Sequence, residues 1–214
     1  MILAGRFLEA QAREIGFHRI AGLDEAGRGC LAGPVVAAAV ILGEEFPAEG
    51  LRDSKQLSPA GRRHWYEIIR SRGQAVSFAC AEPEEIDRWN ILEATRLAMK
   101  RALSGLKMKP DILLIDAVRL SGLSITQVSI TKGDQISISI AAASIIAKVE
   151  RDRIMENLDG RFPGFDFGKN KGYPTAEHRR NLAYRGACPV HRRTFRPVRE
   201  LLEPPGNGLN TVEM

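Results

Sequence analysis

The chain has 214 residues, 44% of them hydrophobic and 27% charged, enough for one globular domain with a real core. Its net charge of +5 is uneven: residues 1–168 hold 22 bases and 22 acids, residues 169–199 hold nine bases against Glu177 alone, and residues 200–214 hold three acids and no base. The longest apolar run (Pro34 to Leu42) cannot span a bilayer, Arg6 and Glu9 interrupt any secretory signal, and Cys30, Cys80 and Cys188 make neither a disulfide framework nor a zinc knuckle, so a reducing cytoplasm is expected.

Residues 3–15 have helical spacing, with Leu3, Phe7, Leu8, Ala12 and Ile15 on one side. A strand is expected from His18 to Asp24, broken at Gly27 and Gly29. Val35 to Leu42 is a continuous β-branched and apolar run, the pattern of a strand buried on both faces. Ser58 and Pro59 open a helix that Gly73 ends. Gln74 to Ala81 predicts a strand, Ile91 to Leu106 a helix, Ile112 to Asp116 a short buried strand and Ser124 to Ile130 another. Ile136 to Arg153 is a helix of small residues suited to close packing on a sheet, and Thr175 to Arg185 is a further helix with a Thr cap. The order predicts an α/β fold with a mixed sheet of about five strands, helices on both faces and a C-terminal helical extension. One domain is expected over residues 1–200, with a flexible tail over 201–214.

Three chain breaks carry acids. Asp24 and Glu25 end a hydrophobic strand before a glycine-rich turn; they fit either a charged strand end or a ligand pair. Neighbours on a strand point to opposite faces, so both reach one centre only if the strand breaks there. Asp116 ends an apolar strand, where open α/β sheets place their ligands, but it could also serve as an N-cap for the next element. Asp134, in Lys132-Gly-Asp ahead of a helix, reads as an N-cap when taken alone. Together these acids form an all-oxygen set suited to Mg²⁺ or Mn²⁺, and two such ions can clamp both sides of a phosphodiester. Ser144, Lys148 and Asp152 share a helix face, and an i,i+4 ion pair explains the last two. His178 and His191 lack zinc-pair spacing, with no cysteine expected to join them.

In order, Asp24-Glu-Ala-Gly-Arg-Gly, Leu31-Ala-Gly-Pro-Val-Val, Asp53-Ser-Lys-Gln-Leu, Leu114-Ile-Asp, Lys132-Gly-Asp, Ser139-Ile-Ala-Ala-Ala-Ser, Lys171-Gly-Tyr-Pro-Thr and His191-Arg-Arg-Thr-Phe resemble the blocks of bacterial type-two ribonucleases H. The resemblance runs from about residue 18 to 198. It implies an RNase H-like fold and a metal-dependent endoribonuclease. Such an enzyme hydrolyses the RNA strand of RNA–DNA hybrids and cuts 5′ of single ribonucleotides embedded in duplex DNA. It works by a two-metal-ion mechanism and leaves 3′-hydroxyl and 5′-phosphate ends. Asp24, Glu25, Asp116 and Asp134 match the four metal-binding acids. Gly27-Arg28-Gly29 matches the motif that senses the ribose 2′-hydroxyl and adjacent phosphate, and Tyr173 matches the tyrosine packed on the neighbouring deoxyribose.

Lys55, Ser144 and Lys148 are further expected substrate contacts. Lys169, Lys171, Arg192 and Arg193 are expected on the duplex backbone, so that the basic segment grips while the neutral sheet cuts. Asn170 stands where a histidine is common in the family. The expected partner is nucleic acid, with no membrane, and the chain is expected to act as a monomer. Two alternatives remain: another RNase H-like nuclease of the resolvase or transposase type, and a non-catalytic hybrid-binding module.

Overall fold

The apolar run from Val35 becomes β2 (Val35–Ile41), which is buried at every position. It lies between β1 (Ile20–Ala26) and β3 (Ala75–Ala81) and is antiparallel to both. β4 (Ile112–Asp116) runs parallel to β1, and β5 (Thr126–Ile130) parallel to β4, which gives the five-stranded order β3-β2-β1-β4-β5. This computed structural model describes residues 4–51 and 53–203.

Alternation along β2 sends its side chains to two cores. Ala38 and Val40 pack under α2 (Pro59–Arg72) and α4 (Ile138–Arg161), whereas Ala37, Ala39 and Ile41 pack under α3 (Pro83–Ser104). Helices thus cover both faces, as expected. α4 lies very close to β1 because Gly22 has no side chain; a Cβ there would come within 2.0 Å of the Ser139 backbone. The small residues of α4, Ala141 to Ala143 and Ala147, are all buried against the sheet.

Several boundaries differ from expectation. α3 begins at Pro83, eight residues early, because Glu85 accepts a hydrogen bond from the Glu82 N–H at 3.0 Å and secures its start. Its two halves meet at Asn90, whose φ is 67°, and the Asn90 side chain caps the second half through the Leu92 N–H at 2.9 Å. α4 continues past Arg153 to Arg161. The first helix, α1 (Phe7–Glu14), buries Glu9 and Ala12 and leaves Phe7 and Ile15 exposed. A polar contact turns it: the Glu9 carboxylate accepts from Ser137 Oγ at 2.5 Å and from the Ser139 N–H at 3.0 Å at the start of α4.

The C-terminal extension consists of α5 (Phe167–Asn170), α6 (Ala176–Arg185) and α7 (Arg196–Leu202). α7 takes in the first residues of the expected tail, and residues 204–214 lie outside the described residues. Among the described residues no helix is long and apolar enough to cross a membrane.

Candidate active site

The parallel register Leu23↔Ile115 sets Asp24 and Asp116 side by side at the carboxyl ends of β1 and β4. Asp134 arrives from the turn after β5, where Lys132 takes a left-handed conformation and Gly133 donates its N–H to Asp116 Oδ1 at 2.8 Å. Asp24, Asp116 and Asp134 each offer an oxygen, and these lie within 4.8 Å of one another. Asp134 does not cap α4; Ser137 does, through the Ile140 N–H at 3.2 Å, so the Asp134 carboxylate is left for the cluster. Asp116 caps no helix either.

Glu25 lies beside that trio. β1 does not break at the acids but pairs with β2 through Ala26, and Glu25 sits at the edge of the trio, close enough to Asp24 and Asp116 for their charges to act on one another. Its Oε1 meets Arg28 at 3.2 Å, while its Oε2 is buried with no hydrogen-bond partner among the described residues. Burial first, then Glu25 and Asp116, holds the Asp24 carboxyl well above the ordinary aspartate range, and the Ser144 hydroxyl offsets only part of this. Burial likewise raises Glu25 against the pull of Arg28, and burial with Asp53 raises Asp134 against Lys55. A group of carboxylate oxygens, three of them convergent and one buried without a partner, with like charges pressing on each other, fits a hard divalent cation.

Lys55 Nζ lies 3.6 Å from Asp134 on the turn Ser54–Gln56, and Asp53 caps that turn. Burial disfavours its ammonium, but Asp134 and Asp53 outweigh burial and raise its pKa. Ser54 and Ser144 share a hydroxyl–hydroxyl bond of 2.9 Å that ties this turn to α4. Lys148 pairs with Asp152 at 2.7 Å and lies 5.9 Å from the Tyr173 ring.

Two loops flank the acids. In the first, Gly27 has φ +97° and a Cβ would strike Arg151 Nε at 1.9 Å, so glycine is required there. Arg28 and Gly29 are exposed, and nothing lies within 4 Å of where a Gly29 Cβ would be. The second loop carries Tyr173, a residue 42% exposed. A bond from the Leu31 N–H to the Gly172 carbonyl at 2.8 Å joins the loops. Asn170 shapes the second loop from within: it donates to the Phe165 carbonyl at 2.6 Å and accepts from the Gly172 N–H at 2.7 Å.

The basic segment corrects one expectation sharply. Arg192 is fully buried and contacts no solvent; its guanidinium donates to the carbonyls of Gly27 at 2.7 Å, Arg28 at 2.9 Å and Gly33 at 3.0 Å. It holds the first loop from beneath and cannot touch a duplex. Arg193 is exposed. Lys169 and Lys171 are tied to Glu177 at 2.9 Å and Glu156 at 2.7 Å. Beside them runs a groove of about 450 Å³ whose walls include Arg62, Arg63 and Arg153.

Sequence reasoning missed Arg151, a buried base in α4 that donates to the carbonyls of Pro34, Ala32 and Lys171 and so fixes both loops. It also missed that His178 and His191 meet at 3.1 Å and that Cys188 Sγ lies 3.1 Å from His191 Nδ1. A lone arginine among the residues of a long helix carries no local signal of such long-range partners.

Comparison with known proteins gives the family and the fold. The ribonuclease HII family model matches residues 21–198. A ribonuclease HII of Desulfitobacterium hafniense is 52% identical over 188 residues, 88% of this chain and 72% of that protein. One from Listeria monocytogenes is 53% identical over 185 residues, 86% of this chain and 70% of that protein. Among solved structures, the ribonuclease H2 of Pyrococcus horikoshii superposes with a TM-score of 0.73 at 28% identity, covering 86% of this chain and 96% of that one.

Proposed function

The chain belongs to the ribonuclease HII family of metal-dependent endoribonucleases acting on RNA–DNA hybrids, and from that premise we propose that it also cuts 5′ of a single ribonucleotide embedded in duplex DNA. Membership removes the resolvase-type and binding-only alternatives. We assign it to the cytoplasm as a monomer.

One observation carries the finer reading. The convergent acids adjoin a loop whose Gly29 leaves open space and whose Arg28 is exposed, and the Tyr173 loop is bonded to that loop. In this reading Asp24, Asp116 and Asp134, with Glu25 beside them, hold the divalent ions. When bound, a pair of Mg²⁺ or Mn²⁺ ions supplies charge neutralisation at the attacking and leaving oxygens of the phosphodiester. The backbone around Gly29 approaches the ribose closely, and the 2′-hydroxyl is the group that separates RNA from DNA at that point. Arg28 takes the adjacent phosphate by charge-assisted hydrogen bonds, and Lys55, beside Asp134, is a further phosphate contact. Tyr173 stacks on the neighbouring sugar and limits how it sits. Ser144 and Lys148 support this wall through Ser54 and Asp152.

The test offers a duplex with one ribonucleotide in Mn²⁺ or Mg²⁺ and maps the cut. A single break on the 5′ side of the ribose, leaving 3′-hydroxyl and 5′-phosphate ends, is expected. Equal cleavage of an all-DNA duplex, or a break on the 3′ side, would overturn the reading.

A further inference from the structure

The mechanism leaves unused a pair of buried histidines behind the Tyr173 loop. His178, on α6, and His191 are both within 1% of complete burial. Their Nε2 atoms lie 3.1 Å apart. The outer nitrogen of each ring has its own partner. His178 Nδ1 is 2.9 Å from the Tyr173 carbonyl, which also accepts from the Thr175 N–H at 2.8 Å. His191 Nδ1 is 3.0 Å from the Cys188 N–H and 3.1 Å from its Sγ.

These contacts admit one proton arrangement. A carbonyl only accepts, so His178 Nδ1 carries a hydrogen. A backbone N–H only donates, so His191 Nδ1 is bare. The remaining proton then sits on His191 Nε2 and is donated to the bare His178 Nε2. Both rings are neutral, in opposite tautomers, and each fixes the other. A further proton on either ring sets N–H against N–H, or against the Cys188 N–H. Among the described residues no carboxylate is paired with either ring: Phe165 centres 4.9 Å from His191, Phe167 centres 5.5 Å from His178, and the polar contacts are the Cys188 thiol and N–H and the Tyr173 carbonyl. Arg192, next in the chain, sends its charge away to the Gly27, Arg28 and Gly33 carbonyls.

We propose that the neutral His178–His191 pair is the positioning element of Tyr173, fixing its carbonyl and thereby the place of its ring beside the Gly27–Gly29 loop, so that two residues that never touch substrate set how strictly the ribose is read. The proposal rests on the substrate role of Tyr173 given above. The dipeptide His191–Arg192 braces both walls of the ribose site, His191 through His178 and Tyr173, Arg192 through Gly27 and Arg28. Burial, then His178, pushes His191 down to about 4, so the brace persists through the neutral range.

Two experiments on the full chain test this. Long-range ¹H–¹⁵N imidazole spectra should show His178 with hydrogen on Nδ1 and His191 with hydrogen on Nε2, both uncharged, from pH 8 to about pH 5. The reverse tautomers, or a charged ring at pH 7, would overturn the arrangement. The second is a kinetic cycle on the single-ribonucleotide duplex. His178→Gln, whose longer side chain carries its amide to the place of Nε2 and leaves the Tyr173 carbonyl without the Nδ1 donor, should lower kcat/KM about tenfold, and the same change in a Tyr173→Ala background should lower it by less than about twofold. His178→Asn, whose amide matches the place of Nδ1, should recover most of that loss. Additive losses with an impaired Tyr173→Ala would reduce the pair to general support and sink the proposal. Wild-type kinetics in Tyr173→Ala alone would instead strike the substrate role of Tyr173.

Discussion

At the carboxyl ends of β1 and β4, the buried Asp24 and the half-buried Asp116 meet the buried Asp134, and the protein's own groups leave this negative charge under-compensated: their oxygens converge within 4.8 Å, burial and mutual repulsion raise Asp24, and Glu25 Oε2 has no partner among the described residues. Beneath the adjoining loops, Arg151 and Arg192 bury positive charge as deeply. There each guanidinium nitrogen reaches a backbone carbonyl. Both regions bury charge, yet the carboxylates converge on one another while each guanidinium nitrogen has a backbone acceptor. The depth of burial is therefore no guide to function here. An orphaned oxygen alone does not mark a ligand site, since Glu9 Oε2 is also without a partner among the described residues while Glu9 braces α1; it is the convergence of several carboxylates, with the Asp24 pKa raised, that marks the acids as a ligand site.

Removing one charge from each region separates them, and the largest effect belongs to the acids. Asp24→Asn keeps the shape but removes a ligand and a repulsion. Cleavage should fall by about 10³-fold or more, on the scale of losing an electrostatic group at the reacting centre. Metal-free stability should rise by about 1 kcal/mol because the buried charge and its repulsion are gone. Mn²⁺ should then cease to raise the melting temperature as it does for wild type. Thermal melts with and without chelator, beside single-turnover cleavage, check all three. A strong loss of metal-free stability would mean that the acids brace the fold, and the contrast would collapse.

The reciprocal change is Arg192→Lys. An ammonium cannot present a planar fork to the carbonyls of Gly27, Arg28 and Gly33, so at least one acceptor loses its partner in a buried place. Denaturant unfolding should show a loss of about 2–3 kcal/mol, while the shift in melting temperature on adding Mn²⁺ persists. Unchanged stability with weakened duplex binding would instead return Arg192 to the surface role that its place in a basic run suggests.

The same contrast governs which residues were legible in the sequence. Asp24 and Asp116 stand out because each ends an apolar strand, and strand periodicity is local. Asp134 is visible but ambiguous, since only the spacing to Ser137 decides which residue caps α4. Glu25 depends on whether β1 breaks at the acids, which the pairing with β2 settles and no local pattern reveals. Arg192 is illegible: its partners lie near residue 30, and nothing in His191-Arg-Arg-Thr distinguishes a buried base from an exposed one. The resemblance found the loops as sequence blocks but gave no hint of the guanidiniums and imidazoles that hold them. The early start of α3 was missed because Pro83-Glu-Glu is polar and has no apolar face to announce a helix.

The smallest effect concerns what is left of the basic segment once Arg192 is withdrawn from it. Lys169 and Lys171 already have carboxylate partners, so a phosphate must compete with Glu177 and Glu156 for them. Arg193 is exposed and its backbone N–H is engaged by Asp87 at 2.9 Å; among the described residues its guanidinium has no ion-pair partner, so it can take a phosphate. Arg193→Ala should therefore flatten the plot of log binding constant against log salt by about one unit for a duplex substrate, the value for one lost phosphate contact. Lys169→Ala should change it by less, because removing the lysine frees Glu177 to repel the backbone only weakly at an exposed site. A larger change for Lys169 than for Arg193 would place the duplex over the groove lined by Arg62 and Arg63 rather than over the face of Arg193, and the ion pairs seen there would then be contacts that open on binding.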